Sequence, residues 1–406
     1  MNKDFEELYD RTFLPLYEKN IKPHRINTHN TSHMYSISEK DRKNLFHLEV
    51  YSIDPEGSVD ADDAFSIEND CLYIHIADPT EHISPKSDLW KQICNQIVTR
   101  YPSNRKPLHL MPEHIVKICS LQGESVSKNA ITVQIQIQIK VEEDESYQLI
   151  GIYPSLIQVK KENAYSYKRA SVSNIFTKGL ELATHLRKRR GENALKLSAV
   201  SNAYPVYDSE RGEIKLYKDT KEEIQMKQMI AEFAIIANQM VAEFIQNNVK
   251  LNNNIFRTCS LSEGEKKVIK GKNGSEIIEY IVSNGVKASY DPIQSNHDLV
   301  GIEHYTHFTS PLRRASDCVC HYILKYLFIR KNIPFPFSND YLTKIGNKCN
   351  EVTKQMKKIQ YDDNKFRLIQ TMSNRLYYKF YDNMYSPSRI EIQFKLRNYS
   401  GLFLNI

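Results

Sequence analysis

The apolar residues of this chain recur at two spacings, and the change from one to the other marks its elements. From Ile131 to Lys140 the run ITVQIQIQIK alternates without a break. Ile131, Val133, Ile135, Ile137 and Ile139 fall on one face, and Thr132, Gln134, Gln136, Gln138 and Lys140 on the other. A period of two predicts a half-buried antiparallel strand, because a strand covered on both faces is expected to be apolar throughout. Cys71 to Ala77 alternates in the same way, with Leu72, Ile74 and Ile76 opposite Tyr73, His75 and Ala77. Leu48 to Ile53 is a further strand-like segment. Over residues 222–247 the spacing becomes three and four, through Met226, Met229, Ile230, Phe233, Ile236, Ala237, Met240, Val241 and Phe244, which predicts an amphipathic helix. A second helix is expected after Pro311, through His321 toward Phe328, and a polar, basic helical stretch from about Tyr341 to Tyr381. The tail, Ile390 to Ile406, reads as two short strands joined at Asn398–Gly401. Residues 1–46 read as polar and irregular, with one weak amphipathic stretch from Phe5 to Tyr17. Strands mixed with long helices, without regular β-α alternation, point to an α+β fold.

Composition narrows the class. With 41% hydrophobic residues in 406, the chain has material for a core, which excludes wholesale disorder. No run approaches the ~18 apolar residues of a membrane-spanning helix. The opening MNKDFEELYDRTF has no apolar region of the kind a secretory leader carries, so a cytoplasmic setting without a membrane partner is expected. Seven cysteines are scattered without a C-x-x-C, which argues against a disulfide framework or a zinc finger and for a reducing compartment. Lysine and arginine exceed the acids by 55 − 49 = 6, a surplus that permits a nucleic-acid partner without demanding one. Distribution says more. Asp54, Glu56, Asp60, Asp62 and Asp63 lie within ten residues that hold no base. From Lys160 to Arg190 nine bases stand against two acids, Glu162 and Glu181. An anionic spot beside separate cationic segments suits a divalent-metal site serving a polyanion; a solvated helix face is the plainer reading of the basic run.

The acidic segment SIDPEGSVDADDAFSIE (Ser52 to Glu68) is the most informative. Asp54 ends a strand, Pro55 and Gly57 force a turn, and Asp60, Asp62 and Asp63 follow. Carboxylates this close repel one another unless a dication neutralises them. Oxygen-only ligands select hard ions such as Mg²⁺, and a pair of them ~3.5–4 Å apart can serve both the attacking and the leaving oxygen of a phosphodiester. An EF-hand does not fit, because the glycine precedes the close acids. A D-x-D sugar-nucleotide site (Asp60, Asp62) leaves the rest unexplained. A solvated acidic turn is the ordinary reading of D-A-D-D alone, but these acids lie between two apolar strands.

This segment resembles the signature of the ribonuclease II/R (RNB) family of 3′→5′ exoribonucleases. The likeness continues in order through HIADPTEHI (His75 to Ile83), RYPSN and HLMPEHIVKICSL (Arg100 to Leu121), MIAEFAIIANQMVAEF (Met229 to Phe244) and YTHFTSPLRRASDCVCHYIL (Tyr305 to Leu324). It covers roughly residues 42 to 325. The resemblance implies a mixed, mostly antiparallel sheet with surrounding helices enclosing an RNA channel, and hydrolysis of single-stranded RNA to nucleoside 5′-monophosphates. By the same likeness Asp54, Asp60, Asp62 and Asp63 would hold two Mg²⁺ ions, with Asp62 and Arg313 catalytic. Arg313 would also contact the scissile phosphate, where a guanidinium fork suits the developing charge. Tyr101 would stack on a base near the 3′ end, a contact tolerant of base identity. Tyr167 and Glu232 would recognise the terminal ribose. No small-molecule cofactor is implied. His307 and His321 read as structural.

The chain also departs from the family. Only about 46 residues precede the core, too few for a five-stranded cold-shock barrel, and the tail is too short for a complete S1 barrel. The expected organisation is an N-terminal extension (1–46), an RNB catalytic core (47–325), a basic helical extension (326–385) and a strand tail resembling an S1 remnant (386–406). Basic residues of the helical extension (Lys354, Lys357, Lys358, Arg367, Arg375) are candidates for feeding RNA. Ala231 replaces the first acid of the family's E-E-F-M, Ala315 replaces the aromatic after S-P-I-R-R, Tyr322 replaces an arginine, and Met111–Pro112 stands for L-P. None of these removes a candidate magnesium ligand or Arg313. Two rivals stay open: a catalytically silent RNA-binding relative, and an unrelated two-metal phosphohydrolase.

Overall fold

The computed structural model describes residues 2–21, 33–123, 125–138, 146–191, 203–208, 213–249, 254–270, 272, 274–329 and 333–382. In chain order come helices α1 (Asn2–Thr12) and α2 (Leu14–Glu18), then strands β1 (Lys43–Asn44), β2 (Ser52–Asp54), β3 (Asp63–Glu68) and β4 (Cys71–Ala77). Helices α3 (Asp88–Gln96) and α4 (Glu113–Cys119) lead into the long strands β5 (Val126–Gln138) and β6 (Ser146–Val159). Next are β7 (Ala164–Ser166), α5 (Tyr167–Ser171), α6 (Thr177–Gly191), β8 (Ala203–Asp208), β9 (Glu213–Lys218) and α7 (Lys221–Asn248). A smaller region of β10 (Phe256–Thr258), α8 (Glu263–Ile269), α9 (Gly274–Ser283) and β11 (Ser289–Asp291) precedes α10 (Ala315–Ile329) and α11 (Asn339–Asp382). This is the α+β architecture expected.

The main sheet has five strands in the order β1-β6-β5-β4-β3, antiparallel except where β1 lies along β6. Asn69 and Asp70 adopt φ of 47° and 60°, so a two-residue turn joins β3 to β4, a conformation that Asn and Asp tolerate better than most. Helix α7 starts at a capping box, Thr220 and Glu223 each satisfying the other's backbone N–H. It packs beneath the sheet with the Phe233 and Phe65 rings 5.2 Å apart. Helix α6 approaches it closely at Gly179, where an added Cβ would stand 2.8 Å from Met229 Sδ. Helix α10 is buried at every position from Ala315 to Lys325, so it runs through the interior.

Three expectations need correction. The polar face of β5 is not solvated at Thr132, which is fully buried, or at Gln134, which is nearly so. Each is paired, Thr132 Oγ1 with His75 Nδ1 at 2.9 Å and Gln134 with the Tyr73 and Tyr153 hydroxyls at 3.1 and 2.7 Å. A strand can thus be covered on both faces without being apolar throughout, provided its polar side chains find partners. Residues 2–18 are not irregular either, and the amphipathic stretch from Phe5 to Tyr17 is helical. They form α1 and α2, which bury Tyr9, Phe13 and Tyr17 against Ile359 and Phe366 of α11. The strand expected at Leu48–Ile53 is confined to Ser52–Asp54, with Tyr51 bridging to Phe65. Ile139, Lys140 and the tail Ile390–Ile406 lie outside the described residues. Among the described residues all seven cysteines are free thiols, and no helix is long and apolar enough to cross a membrane.

Candidate active site

Strands β2 and β7 pair in parallel with Asp54 opposite Ser166. Ser166 caps α5 by accepting the Arg169 N–H at 3.2 Å, which sets Tyr167 beside the end of β2. Burial, and then the charges of Asp63 and Asp54, push the Tyr167 phenol pKa up. After Asp54 the loop turns at Gly57, whose φ of +80° a larger residue would adopt only with strain. The loop is then stitched to the end of α4: Ala61 N–H donates to Ser120 Oγ at 3.0 Å and Leu121 N–H to the Ala61 carbonyl at 2.9 Å. Ala77 N–H donates to the Asp62 carbonyl at 2.8 Å, and Asp63 opens β3. A short acidic loop is in this way held at both ends by ladder hydrogen bonds.

The residue that meets Asp62 comes from 250 positions away. Leu312 N–H donates to Asp62 Oδ1 at 2.7 Å and Arg313 Nε to Oδ2 at 3.0 Å. Arg313 Nη2 also donates to Ser310 Oγ at 2.9 Å. The turn that presents these groups is braced by the buried Asp317, which accepts from Ser310 N–H and Arg314 Nη2, both at 2.8 Å. The Arg313 side chain remains 46% exposed while that of Asp62 is 3% exposed, so the guanidinium keeps a free edge toward solvent.

Crowding and burial dominate the electrostatics. Burial, then Asp63, Asp62 and Asp60, raise the Asp54 carboxyl to about 8. Burial also lifts Asp62 to about 8, against the pull of Arg313 and the Leu312 N–H. It lifts Asp63 to about 6, opposed by Arg313 and Arg314. Asp54 Oδ2 is buried without a hydrogen-bond partner, an acceptor that a cation would satisfy. In chemistry the set suits a hard dication, which Asp54, Asp60 and Asp63 would hold with Asp62 at its edge. The cage is not drawn tight, for no group of three or more His, Cys, Asp or Glu side chains among the described residues is arranged to hold a metal ion.

Tyr101 stands at the rim, 37% exposed, its hydroxyl 3.4 Å from Asp60 Oδ2. His109, which sequence reasoning passed over, places Nδ1 3.8 Å from the same oxygen. Its only sequence signal is an isolated histidine in an apolar HLMP. Glu232 is not joined to this group: among the described residues no hydrogen bond links it to Tyr167 or the aspartates. Its buried carboxylate is gripped by Arg190, with Nε to Oε2 at 3.2 Å and a second bond from Nη2 to Oε1. That corrects the solvated-face reading of the basic run at its last residue, because Arg190 turns inward and also donates to the Val300 carbonyl at 2.8 Å. His307 Nδ1 meets Tyr290 Oη at 2.8 Å, and His321 Nε2 meets the Phe308 carbonyl at 3.0 Å, so both engage protein groups.

Comparison with known proteins comes to the same region. The RNB domain family model matches residues 42–329. Ribonuclease R of Helicobacter pylori is 24% identical over 330 residues, covering 72% of this chain and 50% of that protein. The chain therefore spans about half the length of such a relative. The apo structure of Mycoplasma genitalium RNase R superposes with a TM-score of 0.66 at 19% identity, covering 92% of this chain and 64% of that one. That enzyme has also been solved with ribose-methylated single-stranded RNA and with double-stranded RNA. Yeast Ssd1, a pseudonuclease, superposes at 0.66 with 16% identity, over 90% of this chain and 50% of its own.

Proposed function

Because the chain belongs to the RNB domain family, we propose that it is a hydrolytic 3′→5′ exoribonuclease, acting on single-stranded RNA with Mg²⁺ held by Asp54, Asp60, Asp62 and Asp63. The observation that supports this most is the junction of Asp62 with Leu312 and Arg313, which joins the acidic loop to a guanidinium from the far part of the chain. Hydrolysis breaks the P–O3′ bond of the last internucleotide link. Water supplies the new oxygen on phosphorus, the leaving O3′ takes up a proton, and a nucleoside 5′-monophosphate departs from an RNA one residue shorter. Bound Mg²⁺ would activate the water and neutralise phosphate charge. Arg313 spends one edge on Asp62 and offers the other to the phosphate, so its orientation is set before substrate arrives. Tyr101 supplies a stacking face at the rim and Tyr167 lines the inner side by Asp54 and Asp63. In this reading the RNA runs in a channel whose closed end is the acidic loop.

The test is release of mononucleotides from 5′-labelled RNA with Mg²⁺. The expected outcome is stepwise shortening, abolished by Asp62→Asn and reduced about 10²–10³-fold by Arg313→Ala. Binding without shortening by the unaltered chain would overturn catalysis. That outcome would favour the second reading, a silent RNA-binding relative; each Asp62 oxygen accepts one protein donor and keeps a second lone pair for a cation.

A further inference from the structure

The residues flanking Tyr101 are held by parts of the chain that lie outside the family match. Arg100 is buried and its Nη1 donates to the backbone carbonyls of Tyr17 and Lys19, at 2.5 and 2.7 Å. Two residues past Tyr101, Ser103 delivers its N–H to Asp363 Oδ2 at 3.1 Å and its hydroxyl to Asp363 Oδ1 at 2.5 Å. Asp363, on α11, is 1% exposed. Its Oδ2 also accepts the Tyr9 and Tyr17 hydroxyls at 2.8 and 2.9 Å. Arg367, one turn on, donates from Nε to Ser103 Oγ at 2.8 Å and pairs with Glu6 of α1. The base of the same loop is closed by paired hydrogen bonds between Arg100 and Leu108, and Thr99 N–H donates to the Arg313 carbonyl at 3.0 Å. A buried carboxylate that accepts four donors from three segments stays put only if all of them do. None of Tyr9, Tyr17, Asp363 and Arg367 falls within residues 42–329.

We infer that Asp363, with the Tyr9 and Tyr17 hydroxyls, is a positioning latch that holds the 100–108 loop so that Tyr101 presents its ring to the 3′-terminal base above the acidic loop. The segments on either side of the family match thereby set the stacking platform of the site. This rests on the proposed reading of Tyr101 as that platform, and not on whether the chain hydrolyses RNA. A stacking face works only when its ring is held at the right tilt and height, and among the described residues the Tyr101 side chain itself has a single 3.4 Å hydrogen bond to do this. The latch supplies the rest through the backbone on both sides.

The test uses the full chain and a single-stranded RNA oligomer carrying 2-aminopurine at its 3′ terminus, with EDTA present so that the RNA stays intact. Quenching of the fluorophore reads stacking, and titration reads Kd. Tyr101→Ala is expected to abolish the quenching and raise Kd about tenfold, the scale of one lost base stack. Asp363→Asn is expected to reproduce both effects, and adding it to Tyr101→Ala is expected to change nothing further, because it acts through the same ring. Tyr9→Phe with Tyr17→Phe keeps the rings packed while removing two donors; it is expected to act as Asp363→Asn does, and it carries the test should that variant unfold. Full quenching in the latch variants, or a double variant whose Kd shift is the product of the single shifts, overturns the inference. Unchanged quenching in Tyr101→Ala overturns it as well, and then the fault lies in the reading of Tyr101 as the platform.

Discussion

Glu232 and Arg190 show how much a single pairing decides. The carboxylate is 6% exposed and the guanidinium 16%, so neither is served by water in the other's absence. Arg190→Ala should therefore lose about 3 kcal/mol, the penalty of leaving a buried charge unpaired, whereas Arg190→Met with Glu232→Met should recover most of it. Thermal unfolding of the unaltered chain and the two variants checks this, and a double variant no more stable than Arg190→Ala would contradict it. Nothing in the sequence separates Arg190 from Arg187, Lys188 and Arg189. Their spacing marks a basic helix end, and the direction each side chain takes depends on what lies across from it. His109 is hidden for the same reason: its partner Asp60 is 49 positions away and the contact exists only after the loops close.

At the scale of elements, the loop between β2 and β3 carries a pH signature. The folded pKa of Asp54 lies at about 8, well above the ~3.9 of an unfolded aspartate. A raised carboxyl contributes stability that is fully present below about pH 4 and is lost as pH rises through 8. Without divalent metal, Tm should fall over that window, and Mg²⁺ should restore more of it at pH 8 than at pH 5, because the ion needs the ionised ligands. Melting curves at several pH values with and without Mg²⁺ test this; an equal Mg²⁺ effect at both would count against the cluster as a metal site. Elements with a strong local period were legible beforehand. Cys71–Ala77 forms β4 with those bounds, and residues 222–247 form α7 with one residue more at each end. What periodicity misjudged was the environment of β5 at Thr132 and Gln134, which look solvated until Tyr73, His75 and Tyr153 are set opposite them.

Across the whole molecule, Asp78 ties distant segments together. Burial alone would raise its carboxyl, but Lys325 and Arg42 outweigh that and hold it far below the usual range. Lys325 Nζ lies 2.9 Å from Asp78 and 2.7 Å from Glu81, and Arg42 Nη2 lies 2.8 and 2.7 Å from the same two residues. This knot joins the end of β4 to the segment before β1 and to α10, the helix that follows Arg313. Lys325→Met should lower stability by about 3 kcal/mol, seen as a drop in the denaturation midpoint, and an unchanged midpoint would show the knot to be incidental. By itself the sequence determined the α+β class, the strands and helices with a clean period, and the acidic cluster, because these follow from spacing and chemical type along the chain; Arg313 was singled out only by the resemblance to the RNB family. Only the tertiary structure decided that Arg313 meets Asp62, that Arg190 turns inward to Glu232, and that α1 and α11 close on the Tyr101 loop. The physical reason is that a charged or hydroxyl side chain has many acceptable partners, and which one it takes is set by the packing of elements far apart in the chain.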